Sequence, residues 1–92
     1  MPGTRKHRSR VVFAKRLKEA RLRVGITQEA LGIRAGIDEM VASSRMNHYE
    51  QGKHEPDFGT IHRIADALGT SAAYFFCDDD ALANAVWDLT QA

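Results

Sequence analysis

The chain has one cysteine, Cys77, two prolines, one tryptophan and no long apolar run in its 92 residues. A single thiol excludes an internal disulfide and cannot hold a metal ion by itself. No stretch approaches the run of about 18 apolar residues that a membrane-spanning helix needs, so no membrane association is expected. The start, MPGTRKHRSRVV, is charged but lacks the apolar segment of a secretory leader, which makes the cytoplasm the expected compartment. His7, His48, His54 and His62 lack the spacing of a zinc cluster, and the run Asp78 to Asp80 lacks the pattern of a calcium loop. There is no Ser-His-acid arrangement and no glycine-rich phosphate loop, so neither an enzyme nor a cofactor is expected. What remains is an ordinary globular composition, 43% apolar and 27% charged, sufficient for one small domain.

The net charge of +1 conceals a gradient. Residues 1–26 carry nine basic side chains against one acid, Glu19; residues 27–76 carry four against seven; residues 77–92 carry four acids and no base. Such a basic segment suits a polyanion, and the acidic end does not.

Apolar spacing predicts helices throughout, and no segment alternates as a half-buried strand does. Residues 1–10, polar and basic with Pro2 and Gly3, read as a flexible arm. Phe13, Leu17, Ala20 and Val24 share one face of a first helix from Val11 to Arg23, which Gly25 stops, with Ile26 packing back. Thr27 caps a second, short helix that buries Leu31 and Ala30 and ends at Gly36. Asp38 caps a third, reaching about Gln51, with Val41 or Ala42, Met46 and Tyr49 as its apolar positions. Ser43 and Ser44 suggest a looser turn within it. Asp57 caps a fourth helix carrying Phe58, Ile61, Ile64, Ala65 and Leu68, closed by Gly69. Ser71 opens a short fifth holding Tyr74, Phe75 and Phe76, and the acids at 78–80 begin an amphipathic sixth with Leu82, Ala85, Val86, Trp87 and Leu89.

With that helix order, the stretch Ile26-Thr27-Gln28-Glu29-Ala30-Leu31-Gly32, then Gly36, Tyr49-Glu50-Gln51-Gly52-Lys53, Pro56 and Ile64-Ala65-Asp66-Ala67-Leu68-Gly69 resembles the Cro/C1-type (XRE-like) helix-turn-helix family. The resemblance covers roughly residues 12–76. It implies an all-α, five-helix lambda-repressor-like domain over 11–76, here with an arm at 1–10 and a further helix at 77–92.

The resemblance also implies a sequence-specific transcriptional regulator, usually a repressor, bound to double-stranded DNA at a pseudo-palindromic operator. The second helix lies across the backbone and the third enters the major groove. Thr27 and Gln28 then match phosphate contacts, and Arg21 with Glu50 matches a structural ion pair. Met46 and Tyr49 face the core, leaving Ser43, Ser44, Arg45, Asn47 and His48 for the bases. Arg suits guanine O6 and N7, and Asn can bracket adenine N6 and N7. Lys53 and His54 resemble the loop along the backbone, and Arg8 and Arg10 of the arm add phosphate contacts.

Two departures stand out. Gly36 and Glu50 lie fourteen positions apart, about one helical turn more than is usual in the family. The extra residues fall between Asp38 and Ala42, as a longer third helix or a larger turn. Gly32 stands where the family usually has alanine, at a close helix–helix contact.

The sixth helix needs a cover, either its own chain or a second copy. A homodimer through Phe76, Leu82, Val86, Trp87 and Leu89 is expected, since tryptophan favours interface cores. The alternative is an antitoxin-type module, autoregulating through DNA while another protein partner occupies this C-terminal helix.

Overall fold

A computed structural model describes residues 4–91, with side chains from residue 8 onward. The chain forms α1 (Thr4–Val24), α2 (Gln28–Arg34), α3 (Glu39–Glu50), α4 (Phe58–Leu68), a 3-10 turn (Ala72–Phe76) and α5 (Asp80–Gln91). The fold is all-α, a lambda-repressor-like bundle with one added helix.

Short polar side chains start these helices by accepting otherwise unpaired backbone amides. Thr27 Oγ1 accepts from Ala30 N at 3.0 Å, and Asp57 Oδ1 accepts from Thr60 N at 2.7 Å. The Thr60 amide, with its side chain, holds the Asp57 carboxyl below the usual range. Asp79 Oδ2 accepts from Leu82 N at 3.2 Å and so opens α5.

Phe13, Leu17 and Ala20 of α1 meet Leu31, Met46, Ile64, Tyr74 and Phe75 in one core. Phe13 and Phe75 pack with ring centroids 5.3 Å apart. The 3-10 turn is the central plug: its Tyr74 and Phe75 are fully buried, against α1 on one side and α5 on the other.

Several boundaries differ from the sequence reading. Helix α1 starts at Thr4, so the expected arm is helical from that residue; residues 1–3 and the side chains of 4–7 lie outside the described residues. Val24, expected on the buried face, is exposed, and Ala14 is buried instead. The fifth helix is a 3-10 turn. No looser turn interrupts α3 at Ser43.

Arg16 explains how the two ends meet. It sits on the buried side of α1 at 2% exposure. Its Nε donates to the Cys77 carbonyl at 2.8 Å and Nη2 to the Asp78 carbonyl at 3.2 Å. Its Nη1 lies 2.9 Å from both Glu19 Oε2 and Asp80 Oδ1. Burial opposes the charge, but the bonds to Glu19 and Asp80 outweigh it and raise the guanidinium pKa above its ordinary value.

Elsewhere along α1, Lys15 pairs with Asp80 at 3.2 Å, Arg8 with Asp78, and Arg10 with Glu55 at 3.0 Å. Arg23 lies over the Trp87 ring, 5.1 Å from its centroid. The charge gradient along the sequence is therefore folded back on itself. Much of the basic segment faces the chain's own acids.

Candidate nucleic-acid interface

Helices α2 and α3 are joined by the short turn 35–38 and cross at close range. Gly36 adopts φ +86°, a conformation that a side chain disfavours. The turn is clamped from behind by α4: Arg63 Nε donates to the Ala35 carbonyl at 2.9 Å and Nη2 to Thr60 Oγ1 at 3.0 Å. Sequence reasoning passed over Arg63, because an arginine in a polar stripe of α4 carries no signal of its distant acceptor.

The extra turn belongs to α3. The helix begins at Glu39 directly after Asp38 and runs unbroken for 12 residues. Ala42, Met46 and Tyr49 are its buried positions, so Val41 faces outward. The exposed side comprises Glu39, Met40, Val41, Ser43, Ser44 and Arg45, with Asn47 and His48 half-buried behind them. Val41, Ser44, Arg45 and His48 repeat at helical spacing and line one groove with Tyr49 and His54.

A hydrogen-bond chain fixes the rear of this surface. Arg21 grips Glu50 through Nε–Oε2 at 2.5 Å and Nη2–Oε1 at 3.2 Å, and donates Nη1 to the Ile26 carbonyl at 3.1 Å. Glu50 is 4% exposed in its side chain. Gln28 Nε2 donates to Glu50 Oε1 at 3.1 Å and to Asn47 Oδ1 at 3.2 Å.

A carboxylate only accepts, so the amide nitrogen of Gln28 must face Glu50. Asn47 must then turn its oxygen toward Gln28. That leaves the two Nδ2 hydrogens of Asn47 without a partner among the described residues. Gln28, read from sequence as a phosphate contact, has its donors engaged inside the protein. Asn47 does not present the oxygen that bracketing adenine requires.

The remaining phosphate candidates divide. Thr27 accepts the α2 cap bond, which leaves its hydroxyl hydrogen to donate outward. Lys53 and His54 are exposed just past α3, and the His54 ring lies 5.2 Å from that of His48. Arg8 and Arg10 are in α1, paired with Asp78 and Glu55, and not on a separate arm.

The dimer candidates divide too. Trp87 is 8% exposed, packed on Tyr74 at a 5.2 Å ring separation; it belongs to the chain's own core and presents no interface. Its direction was not readable from the helical pattern, which locates an apolar stripe without naming what covers it. Phe76, Leu82 and Leu89 are exposed and Val86 is half-buried.

Among the described residues, no group of His, Cys, Asp and Glu forms a metal site and no helix is long and apolar enough to cross a membrane. Residues 12–74 match the family model described as "Helix-turn-helix domain". The chain belongs to that family, as a DNA-binding regulator of the Cro/C1 type. No curated protein matches the chain. Among solved structures it is similar to the transcriptional regulator BswR, with a TM-score of 0.80 and 39% sequence identity. That match covers 86% of this chain and 78% of the other.

Proposed function

We propose that this regulator reads double-stranded DNA sequence-specifically with the exposed side of α3 in the major groove, and represses by occupying a pseudo-palindromic operator as a homodimer in the cytoplasm. The observation that carries the reading is the chain Arg21–Glu50–Gln28–Asn47. A base-reading side chain needs a fixed orientation, and this one is anchored through three residues to α1.

The roles follow from donor and acceptor chemistry. Arg45 is free of ion pairs among the described residues and suits guanine O6 and N7. Asn47 offers hydrogens alone, which fits purine N7, guanine O6 or thymine O4 and not the adenine bracket. Ser43 and His48 add shorter contacts. Ser44 donates its hydroxyl hydrogen to the Val41 carbonyl at 3.3 Å, so toward DNA it acts as an acceptor. Thr27 and Lys53 bind phosphates and set register. Leu82, Val86 and Leu89, spaced along one side of α5, supply the dimer contact.

The test is retention of a genomic DNA-fragment pool at several salt concentrations, followed by sequencing. A pseudo-palindrome enriched by the wild type and lost with Arg45→Ala or Asn47→Ala supports the reading. Retention without sequence preference reduces it to backbone binding. No retention at low salt overturns it and favours the antitoxin-type alternative, with a protein on the α5 stripe.

A further inference from the structure

The leading turn of α3 has no counterpart at the family's usual helix spacing, and its side chains have no role in the DNA contacts above. It carries two apolar side chains in the open: Met40 at 83% exposure and Val41 at 36%. Both are one helical turn ahead of Ser43, Ser44 and Arg45, and Val41 continues the stripe through Ser44, Arg45 and His48. We infer that Met40 and Val41 are specificity-determining residues that recognise the C5-methyl group of thymine in the major groove, so that the operator half-site carries thymine opposite the tip of α3.

The inference rests on the reading of α3 as the groove-entering helix. Given that placement, the tip of the helix reaches base edges before its later turns do. Neither side chain can donate to or accept from a phosphate. The one apolar group on base edges in the major groove is the thymine methyl. Val41 is β-branched and stiff, and so presents its methyls in a defined position. Met40 is flexible and fills the space beside it. Neither residue supports the core, because Ala42 between them and Met46 takes the buried position.

The experiment modifies the DNA and leaves the protein intact. In the operator recovered by selection, each thymine is replaced singly by deoxyuridine, which removes only the methyl group. Wild-type affinity is expected to fall about four-fold at the thymines under the α3 tip, the order of one buried methyl-sized group. Met40→Ala and Val41→Ala should each bind the thymine operator more weakly and lose part of that discrimination, with thermal melts unchanged.

Equal deoxyuridine penalties in wild type and both variants, or no penalty at any thymine, overturn the inference while leaving base reading by Arg45 and Asn47 intact. Failure to enrich any sequence overturns the base-reading proposal and this inference with it.

Discussion

Gly32 of α2 and Ala42 of α3 are matched. A Cβ added to Gly32 would lie 2.8 Å from Ala42 Cβ and 3.2 Å from its Cα. Ala42 is within the segment that lengthens α3, so the glycine and the longer helix, separate oddities in the sequence, are one structural feature. A helix that starts a turn early brings a methyl group to the crossing, and its neighbour must give one up.

Replacing Gly32 with alanine therefore destabilises the fold, although alanine is the better helix former by about 1 kcal/mol. Overpacking at a close backbone crossing costs about 1–3 kcal/mol before that gain is counted. Urea denaturation should show Gly32→Ala less stable than wild type, and Gly32→Ala combined with Ala42→Gly more stable than the first alone. An additive double mutant would break the link between the two residues.

Arg16→Met leaves the Cys77 and Asp78 carbonyls without their donor while Glu19 and Asp80 return partly to water. The expected loss is about 1–3 kcal/mol, that of a buried hydrogen-bonded group and not of a full buried ion pair, because Asp80 is well exposed. Hydrogen exchange should show α5 amides losing protection more than those of α2.

Stability should fall on acidification. Asp57 and Asp80 both titrate below their usual value, the first through the Thr60 backbone amide, the second through bonds to Lys15 and Arg16. A carboxyl whose folded pKa is depressed stabilises the fold above its unfolded pKa, about 3.9. That contribution disappears as pH drops through the folded value. Asp57→Asn retains a capping oxygen and removes a titration. Its melting temperature should lie closer to that of the wild type at pH 2 than at pH 7.

The α5 surface separates stability from assembly. Trp87→Ala should cost about 3–5 kcal/mol, as for a large buried aromatic. Leu82→Glu and Leu89→Glu, both at exposed positions, should shift the mass in light scattering from dimer to monomer and remove only the part of the melting temperature that depends on protein concentration. A Leu89→Glu protein that remains dimeric excludes this stripe as the interface.

Lys53→Ala should weaken DNA binding for every sequence and lower the salt slope by about one. Arg45→Ala should instead relax preference at one base position, a cost of about 1–3 kcal/mol against the preferred site. Fluorescence anisotropy across a salt series distinguishes the two.

The helix order was legible because it is written locally. Apolar residues at three- and four-residue intervals and the glycines at 25, 36, 52 and 69, which close helices, need no distant information. The pairing of Arg21 with Glu50 entered through the family resemblance, since 29 positions separate them. What could not be read depends on partners far away in sequence. Residues 4–10 look like a tail because of their polar, basic composition, and the acids that Arg8 and Arg10 meet, Asp78 and Glu55, lie 70 and 45 positions away. Arg16 reads as solvated until the chain reaches Cys77. The direction of the Asn47 amide follows from Gln28 and Glu50 and has no local signature.

The pairing of α1 bases with Glu55, Asp78 and Asp80 bears on how a regulator finds its site. Any genome offers vastly more wrong positions than right ones, and unpaired cations bind them all alike. With Arg8, Arg10 and Lys15 already matched to carboxylates, the chain carries its own competitor for those charges. If α3 reads DNA as proposed, such a chain should leave indifferent DNA sooner, with more of its residence decided by the few side chains that can tell one base from another.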